Sequence, residues 1–433
     1  MIVAALALAV FGHNLSSEPH FVDESAYISQ SFYADLWLNG DWDDPTWVEY
    51  AGYDLPPLPK YAIGLSLKAG GYRRPGPAAM RAWYRNTSRQ FVGPDALAAA
   101  RWPSVAFGAM GCLAIYALGT LAVDRRVGLL AALLLLANPL YTLHARRAMS
   151  DVYAESLILA TLAVGLWAWK RLLSDRGRVG PVLGLTLGSG VLCGLATLSK
   201  LNGSLGGIVL GAWAFLAVWL RPFGHRGRAL IMAATLGAGL IAFATFAALN
   251  PFLYSHPRGP LDPASEGVAR MTFRERVKAI SDHRVGVSAN ARSIFPNDAL
   301  TTPREKVEAV IVQGFGRFGP FGPRGRTDST VRFEWKQDRG TLAWLPWVGL
   351  GFLAAIRRGR VQLRLGEPPG AWAVALQAVV ALAVVTAFIP LAWDRYFLSI
   401  QPGSALLGAI AIVEAYDPIR PRPASKPPGE EPH

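Results

Sequence analysis

Cysteine is nearly absent from this chain: two residues in 433, Cys112 and Cys193. Both fall inside apolar stretches, so they read as packing residues, and no disulfide framework or zinc motif can be built from them. Acidic residues are scarce as well, 30 Asp and Glu against 43 Lys and Arg, for a net charge of +13. The basic excess lies in short loops between apolar stretches and in one long segment, a membrane-protein distribution that gives a nucleic-acid partner little support. An internal repeat is lacking, and no acid is counted at mid-span; a transporter would need charged or broken helices at mid-membrane depth and usually a repeated half. One glycine fingerprint, Gly314-x-Gly316-x-x-Gly319, has no strand–turn–helix context and so does not read as a dinucleotide site.

What the chain has is hydrophobic length, with 52% of its residues hydrophobic. Crossing a bilayer core takes roughly 20 apolar residues. Ten stretches qualify: 1–14, 95–122, 127–143, 150–170, 180–199, 203–220, 229–249, 341–356, 371–391 and 397–415. The first is short, reaching roughly 21 Å at the α-helical rise against a core of roughly 30 Å. Its true start is expected upstream of Met1; the other reading, a cleaved signal peptide, lacks a basic leader. Basic connections mark the cytoplasmic side. These are Asp124-Arg125-Arg126, Lys170 to Arg178, Arg221 to Arg228, Arg357 to Arg364 and the tail from Arg420 to Lys426. Leu55 to Gly71 is apolar, but a crossing there would move every later basic loop to the wrong side. It is expected to lie as a helix at the outer interface, started by Pro56-Pro57.

On that topology the outer face gathers the chain's chemistry. Asp23-Glu24 opens an amphipathic helix from Ser25 to Leu38 and reads either as a helix cap or as a general base. His144-Ala-Arg-Arg147 precedes Asp151; Arg147 and Asp151 are either an i,i+4 ion pair or an arginine gripping an anion beside an orienting aspartate. Lys200 either snorkels or binds an anion. Trp393-Asp394-Arg395-Tyr396 adds another cation. Tyr27, Tyr53 and Trp393 read as interface anchors ahead of sugar-stacking platforms. The stretch 251–340 reads as an outer loop with a capping box at Thr302-Pro303-Arg304-Glu305 and an amphipathic stretch through Val268, Met271, Val277 and Ile280. The Gly/Phe/Arg segment from Gly314 to Arg326 reads as a flap over a site.

Five short motifs at one face, in order, resemble the GT-C glycosyltransferases, closest to the protein O-mannosyltransferase-like family 39 and its aminoarabinose-transferase relatives. They are Asp23-Glu24, Leu55-Pro56-Pro57-Leu58-Pro59-Lys60, Arg147 with Asp151, Gly194-Leu195-Ala196-Thr197-Leu198-Ser199-Lys200, and Asp394-Arg395-Tyr396. The resemblance covers about residues 1–250 and 341–415. It departs at Leu55, where these relatives usually carry His or Lys, so a cation there is missing or supplied elsewhere.

The resemblance implies an all-α polytopic membrane protein, a GT-C type bundle of about ten transmembrane helices with extracytoplasmic juxtamembrane helices. The expected units are an N-terminal module (1–250, with outer helices at 15–94), the loop 251–340, C-terminal helices (341–415) and a disordered cytoplasmic tail (416–433). It implies an inverting transferase moving a sugar from a polyprenyl-phosphate donor to an unidentified hydroxyl acceptor at the outer face of the plasma (inner) membrane. Asp23, Glu24 and Asp151 are the catalytic candidates, Asp23 as base with Glu24 shaping its surroundings. Lys60, Arg146, Arg147, Lys200, Arg395 and Tyr396 are the candidates for the donor phosphate. No cofactor is expected; a divalent metal would require His20, Asp23, Glu24, His256 and His283 to converge, and their spacing makes no motif. The alternatives are a transporter or flippase of a lipid-linked sugar, and a non-catalytic membrane subunit.

Overall fold

The computed structural model describes residues 2–86, 90–174, 179–220, 225–323 and 333–416. The tail, and parts of the segments Lys170 to Arg178, Arg221 to Arg228 and Gly314 to Arg326, lie outside the described residues. Helices account for nearly all of the regular structure, in the order α1 (Ile2–Gly12), α2 (Val22–Ser29), α3 (Tyr33–Asn39), α4 (Tyr50–Asp54), α5 (Pro57–Ala69) and α6 (Pro77–Arg85). Next come α7 (Pro94–Ala122), α8 (Arg125–Ala137), α9 (Pro139–Ala145), α10 (Asp151–Ser174), α11 (Val179–Ser199), α12 (Leu205–Leu220) and α13 (His225–Ala248). The chain then forms α14 (Pro263–Ala269), α15 (Phe273–Ile294), α16 (Pro303–Ala309), α17 (Trp335–Asp338), α18 (Trp344–Arg364), α19 (Gly370–Phe388) and α20 (Gln401–Tyr416). No named strand occurs among the described residues; a single bridge pairs Ala299 with Leu391.

Among the described residues, eight helices are long and apolar enough to cross a membrane, and α1 is a short apolar helix. The stretch expected to cross at 127–143 is broken: α8 and α9 meet at a bend of 71°. Asn138 and Pro139 cause it. The Asn138 side chain caps α9 through the Tyr141 N–H (2.9 Å), and a proline at the first helical position cannot continue the ladder of α8. Gln401 holds the bend from α20, accepting from Asn138 Nδ2 (2.9 Å) and donating to the Gly314 carbonyl (2.8 Å). Residues 310–317 form a π-helix buried except at Ile311, and Phe318 stacks on Phe397 at 5.7 Å. The glycines expected in a flap are therefore packed against the bundle as far as the described residues run.

The helices up to α6 differ from their expected form in one respect. The continuous helix expected from Ser25 to Leu38 is two short helices with a turn at 30–32. Against that turn lies α5, with Pro57 at its first position; a Cβ on Gly64 would run into the Ser31 carbonyl and the Ala34 methyl. Likewise the amphipathic stretch from Val268 to Ile280 is interrupted at 270–272, where Thr272 caps α15 with Glu275. Val277 and Ile280 still pack with Phe252, Leu198 and Phe246, so the loop is anchored on α11 and α13. A second anchor is the backbone pairing of Leu300 to Pro390 (3.0 Å) and Ala392 to Asp298 (2.9 Å), which braces the turn carrying Trp393 to Tyr396.

Chain direction now positions the site. The starts of α7, α10 and α20 and the ends of α9, α11 and α19 come to one end of the bundle, below α2 and α5. Gly64→Val should separate α5 from α3. Overpacking of this kind costs about 1–3 kcal/mol, and here the obstacle is backbone. The expected outcome is a lower thermal midpoint in detergent than for the exposed control Gly267→Ala.

Candidate active site

The site is built around two neighbouring carboxylates with different surroundings. Glu24, the third residue of α2, is fully buried and takes a bidentate grip from Arg101 of α7, with Nε to Oε1 and Nη2 to Oε2 both 2.7 Å. It also accepts the Phe21 N–H (2.9 Å), closing the first turn of α2, and the Ala148 N–H (2.8 Å). Arg101 spends its remaining donors on the carbonyls of Leu15 (3.0 Å), Glu18 (2.8 Å) and Pro19 (3.0 Å). Every N–H of the guanidinium is used and Glu24 has no lone pair left over, which makes it a positioning group. Asp23 points the other way. About a quarter exposed, it accepts a single contact from Arg395 Nη1 at 2.6 Å.

The turn at 146–150 is the second component. It is not helical, and α10 begins only at Asp151, so of the two readings of Arg147 and Asp151 the i,i+4 pair does not form. Asp151 instead accepts from Lys200 Nζ at 2.6 Å, and Lys200 does not snorkel freely. His144 sits between Asp151 (4.0 Å) and Asp394 (3.9 Å), with neither ring nitrogen hydrogen-bonded. Tyr27 donates to Ser150 (2.6 Å), docking the turn on α2.

Arg147 lies on the face of Phe21, its guanidinium carbon 4.1 Å from the ring centroid. It is 1% exposed, and Nε, Nη1 and Nη2 all lack a hydrogen-bond partner. A ring face does not satisfy five N–H donors, and leaving a buried charged group so costs on the order of 1–3 kcal/mol or more. This is the geometry of a seat for an anion. Tyr396 lies between two other cations, its ring 6.0 Å from Lys200 Nζ and 5.9 Å from the Arg395 guanidinium.

Two donor-phosphate candidates are committed elsewhere. Arg146 pairs with Glu18 (3.0 Å) and donates to the carbonyls of Phe11 (2.9 Å), His13 (2.7 Å) and Asn14 (3.2 Å), closing off the end of α1. Lys60 is buried in the α3–α5 contact, donates to the Ala51 carbonyl (2.7 Å) and lies 4.8 Å from the Tyr33 ring. Burial pulls its ammonium down to about 7. The residues weighed for metal also part company: His20 bonds Ser25 (2.8 Å), His283 bonds Asp54 (2.9 Å), and no metal-holding group of three His, Cys, Asp or Glu occurs among the described residues.

Other residues enter unforeseen. His283 and Arg284, from α15, face Asp54 next to the double proline, at 2.9 and 3.9 Å. Burial alone would raise the Asp54 carboxyl, but bonds from His283 and Tyr84 and the Arg284 charge hold it below the usual range. Arg284 lines a cleft with Leu55, Pro56, Pro57 and Asn250, so α15 brings a cation beside Leu55. Glu155, one turn into α10, is buried and accepts from Ser399 (2.8 Å); an acid does lie inside an apolar stretch. Arg101 and Glu155 were legible as charges within apolar runs, whereas nothing local in the sequence aims α15 at Asp54.

The comparisons with known proteins bear on the fold. A family model described as dolichyl-phosphate-mannose-protein mannosyltransferase matches residues 77–249. ArnT from Cupriavidus metallidurans, solved bound to undecaprenyl phosphate, is similar at TM-score 0.52 and 16% identity, over 95% of this chain and 59% of that one. The apo oligosaccharyltransferase of Archaeoglobus fulgidus is similar at TM-score 0.55 and 14% identity, over 96% of this chain and 50% of that one. The same organism's AglB, in complex with an inhibitory peptide and a dolichol-phosphate, gives 0.54 at 16% identity, over 96% and 50%. The chain thus spans about half to three-fifths of the length of these structures, which share its fold. No curated protein matches it in sequence.

Two variants probe the geometry. Arg101→Ala leaves a buried, unpaired Glu24, a loss of about 3–5 kcal/mol for such pairs, and should abolish a folded, monodisperse protein or lower its melting point sharply. Lys60→Met tests the buried ammonium. Because its folded value, about 7, lies below the ordinary 10.5, the unfolded chain binds the extra proton between them. Stability therefore rises with pH across that window in the wild type. In melting curves from pH 7 to 9, the rise should be smaller in Lys60→Met.

Proposed function

We propose that this chain is a GT-C type membrane protein related to the mannosyltransferases and ArnT, an inverting glycosyltransferase that moves a sugar from a polyprenyl-phosphate donor to a hydroxyl acceptor. The observation that carries the reading is Arg147: a buried guanidinium without a hydrogen-bond partner, at the same end of the bundle as an accessible carboxylate. Lys200 on Asp151 and Arg395 on Asp23 are cations at that end of the bundle, and Arg284 offers a further one beside the double proline. This arrangement suits a phosphate at Arg147 and a hydroxyl approaching Asp23.

The residues then divide the work. Asp23 takes the proton of the attacking hydroxyl, and Arg147 stabilises the departing phosphate. Glu24 and Arg101 fix the first turn of α2, so that Asp23 faces the reacting centre. Asp151 holds Lys200 in place by their 2.6 Å contact. Neither Arg146 nor Lys60 is assigned to the donor, since both are engaged by other groups. The reaction is assigned to the extracytoplasmic face on the charge asymmetry of the loops.

The test is donor turnover by purified protein, using labelled polyprenyl-phosphate sugars and a membrane extract as the source of acceptor. Wild type should release polyprenyl phosphate and pass label to an acceptor. Asp23→Asn should still bind polyprenyl phosphate but transfer at least 100-fold more slowly. Arg147→Ala should weaken carrier-phosphate binding by tenfold or more, matching loss of a charge-assisted contact of about 1.5–3 kcal/mol. Binding without turnover under competent donors and acceptors, in wild type as in Asp23→Asn, would favour a transporter of lipid-linked sugar.

A further inference from the structure

We infer that Arg395 exchanges partners during the reaction, holding Asp23 before chemistry and moving to the departing phosphate as the proton is transferred. The inference rests on the glycosyl-transfer reading above. Its basis is a contrast between neighbours: Glu24 is locked by Arg101 and two backbone N–H groups, whereas Asp23 is held by one N–H of Arg395 at 2.6 Å. Both members of the latter pair are about a quarter exposed, so they border open space and are not sealed in the core.

The rest of Arg395 is placed for such a move. Its guanidinium carbon is 4.9 Å from the Trp393 ring and 5.9 Å from the Tyr396 ring, contacts that hold its plane without using its donors. Asp394 and Asp151 are further electrostatic neighbours, so the cation does not lose all compensation on leaving Asp23. Its own backbone is fixed, since the Arg395 N–H donates to Asp394 Oδ1 at 2.6 Å. The side chain can swing on an anchored stem.

The charge balance of the reaction supplies the driving force. The acceptor oxygen bonds to the anomeric carbon, the bond from that carbon to the phosphate oxygen breaks, and its electron pair leaves with polyprenyl phosphate. The hydroxyl proton passes to Asp23. Asp23 thereby loses the charge that held Arg395, just as the phosphate gains one. A cation that follows this transfer binds the transition state more tightly than the bound donor, and only such differential binding speeds the chemical step. In the donor-free chain the same contact occupies a lone pair of Asp23, restraining wasteful attack by water.

Carbodiimide labelling of Asp23 with glycinamide, located by mass spectrometry, tests the exchange in the full chain with undecaprenyl phosphate as probe. Wild type should label slowly alone and several-fold faster with the lipid bound; Arg395→Gln should label fast either way. Transfer by Arg395→Gln should fall at least 100-fold in kcat with less than tenfold change in donor KM, and Arg395→Lys should recover part of kcat. An unchanged melting point in Arg395→Lys guards against misfolding as the cause. If undecaprenyl phosphate binds but Asp23 labelling does not change, or Arg395→Gln keeps wild-type kcat, the exchange is wrong and the transfer reading stands. If the lipid does not bind at all, both fall.

Discussion

The pairing of Glu24 with Arg101 is the constraint on which the site depends. An arginine within the first turns of α7 would be costly in an apolar setting; here it ties α2, the carbonyls that follow α1, and the turn before α10 into one body. Its satisfaction is complete on both sides, which is what makes a buried ion pair tolerable. The carboxylate next to it is consequently pinned in position while remaining only singly bonded. A reactive group held rigid by a saturated neighbour is a recurrent answer to the need for orientation without burial.

The second organising feature is an imbalance. Around Asp23 and Asp151 most charges have partners: Arg395 on Asp23, Lys200 on Asp151, Arg101 on Glu24. Arg147 has Asp394 and Glu24 as electrostatic neighbours but no hydrogen-bond partner, so its five donors are left for a ligand to accept. That incompleteness argues for a ligand more strongly than the count of cations would, because a saturated cluster of the same composition would be only a structural network. The broken segment at Asn138 belongs to the same design. α8 and α9 together return the chain from the far end of α7, and the break between them lets α9 deliver His144 and the 146–150 turn to the site at its own angle.

Much of the fold was legible because hydrophobic length and basic loops are direct consequences of the bilayer. The apolar runs, the helix at the double proline and the caps at Thr302 and Asp23-Glu24 follow from local rules, and the described helices fall on them. The site was legible only in part. Asp23, Glu24, Arg147, Asp151, Lys200 and Arg395 share one end of the bundle, yet their pairings were not readable: Lys200 and Asp151 are 49 residues apart, Asp23 and Arg395 are 372 apart. Arg146 was indistinguishable from Arg147 by type and location, and only the turn decides which of them caps α1. His283 and Arg284 reach Asp54 because Val277 and Ile280 anchor α15 on α11 and α13, a tertiary contact with no local signature. Burial of Lys60 was hidden for the same reason.

The central claim is that Arg147 is the seat of the carrier phosphate. It is tested most directly by a structure of the protein with undecaprenyl phosphate. Phosphate oxygens are expected within hydrogen-bonding distance of the Arg147 guanidinium, with Asp23 facing the side from which a hydroxyl would attack. A phosphate bound away from Arg147, with that guanidinium still unpartnered or satisfied by water, would contradict it.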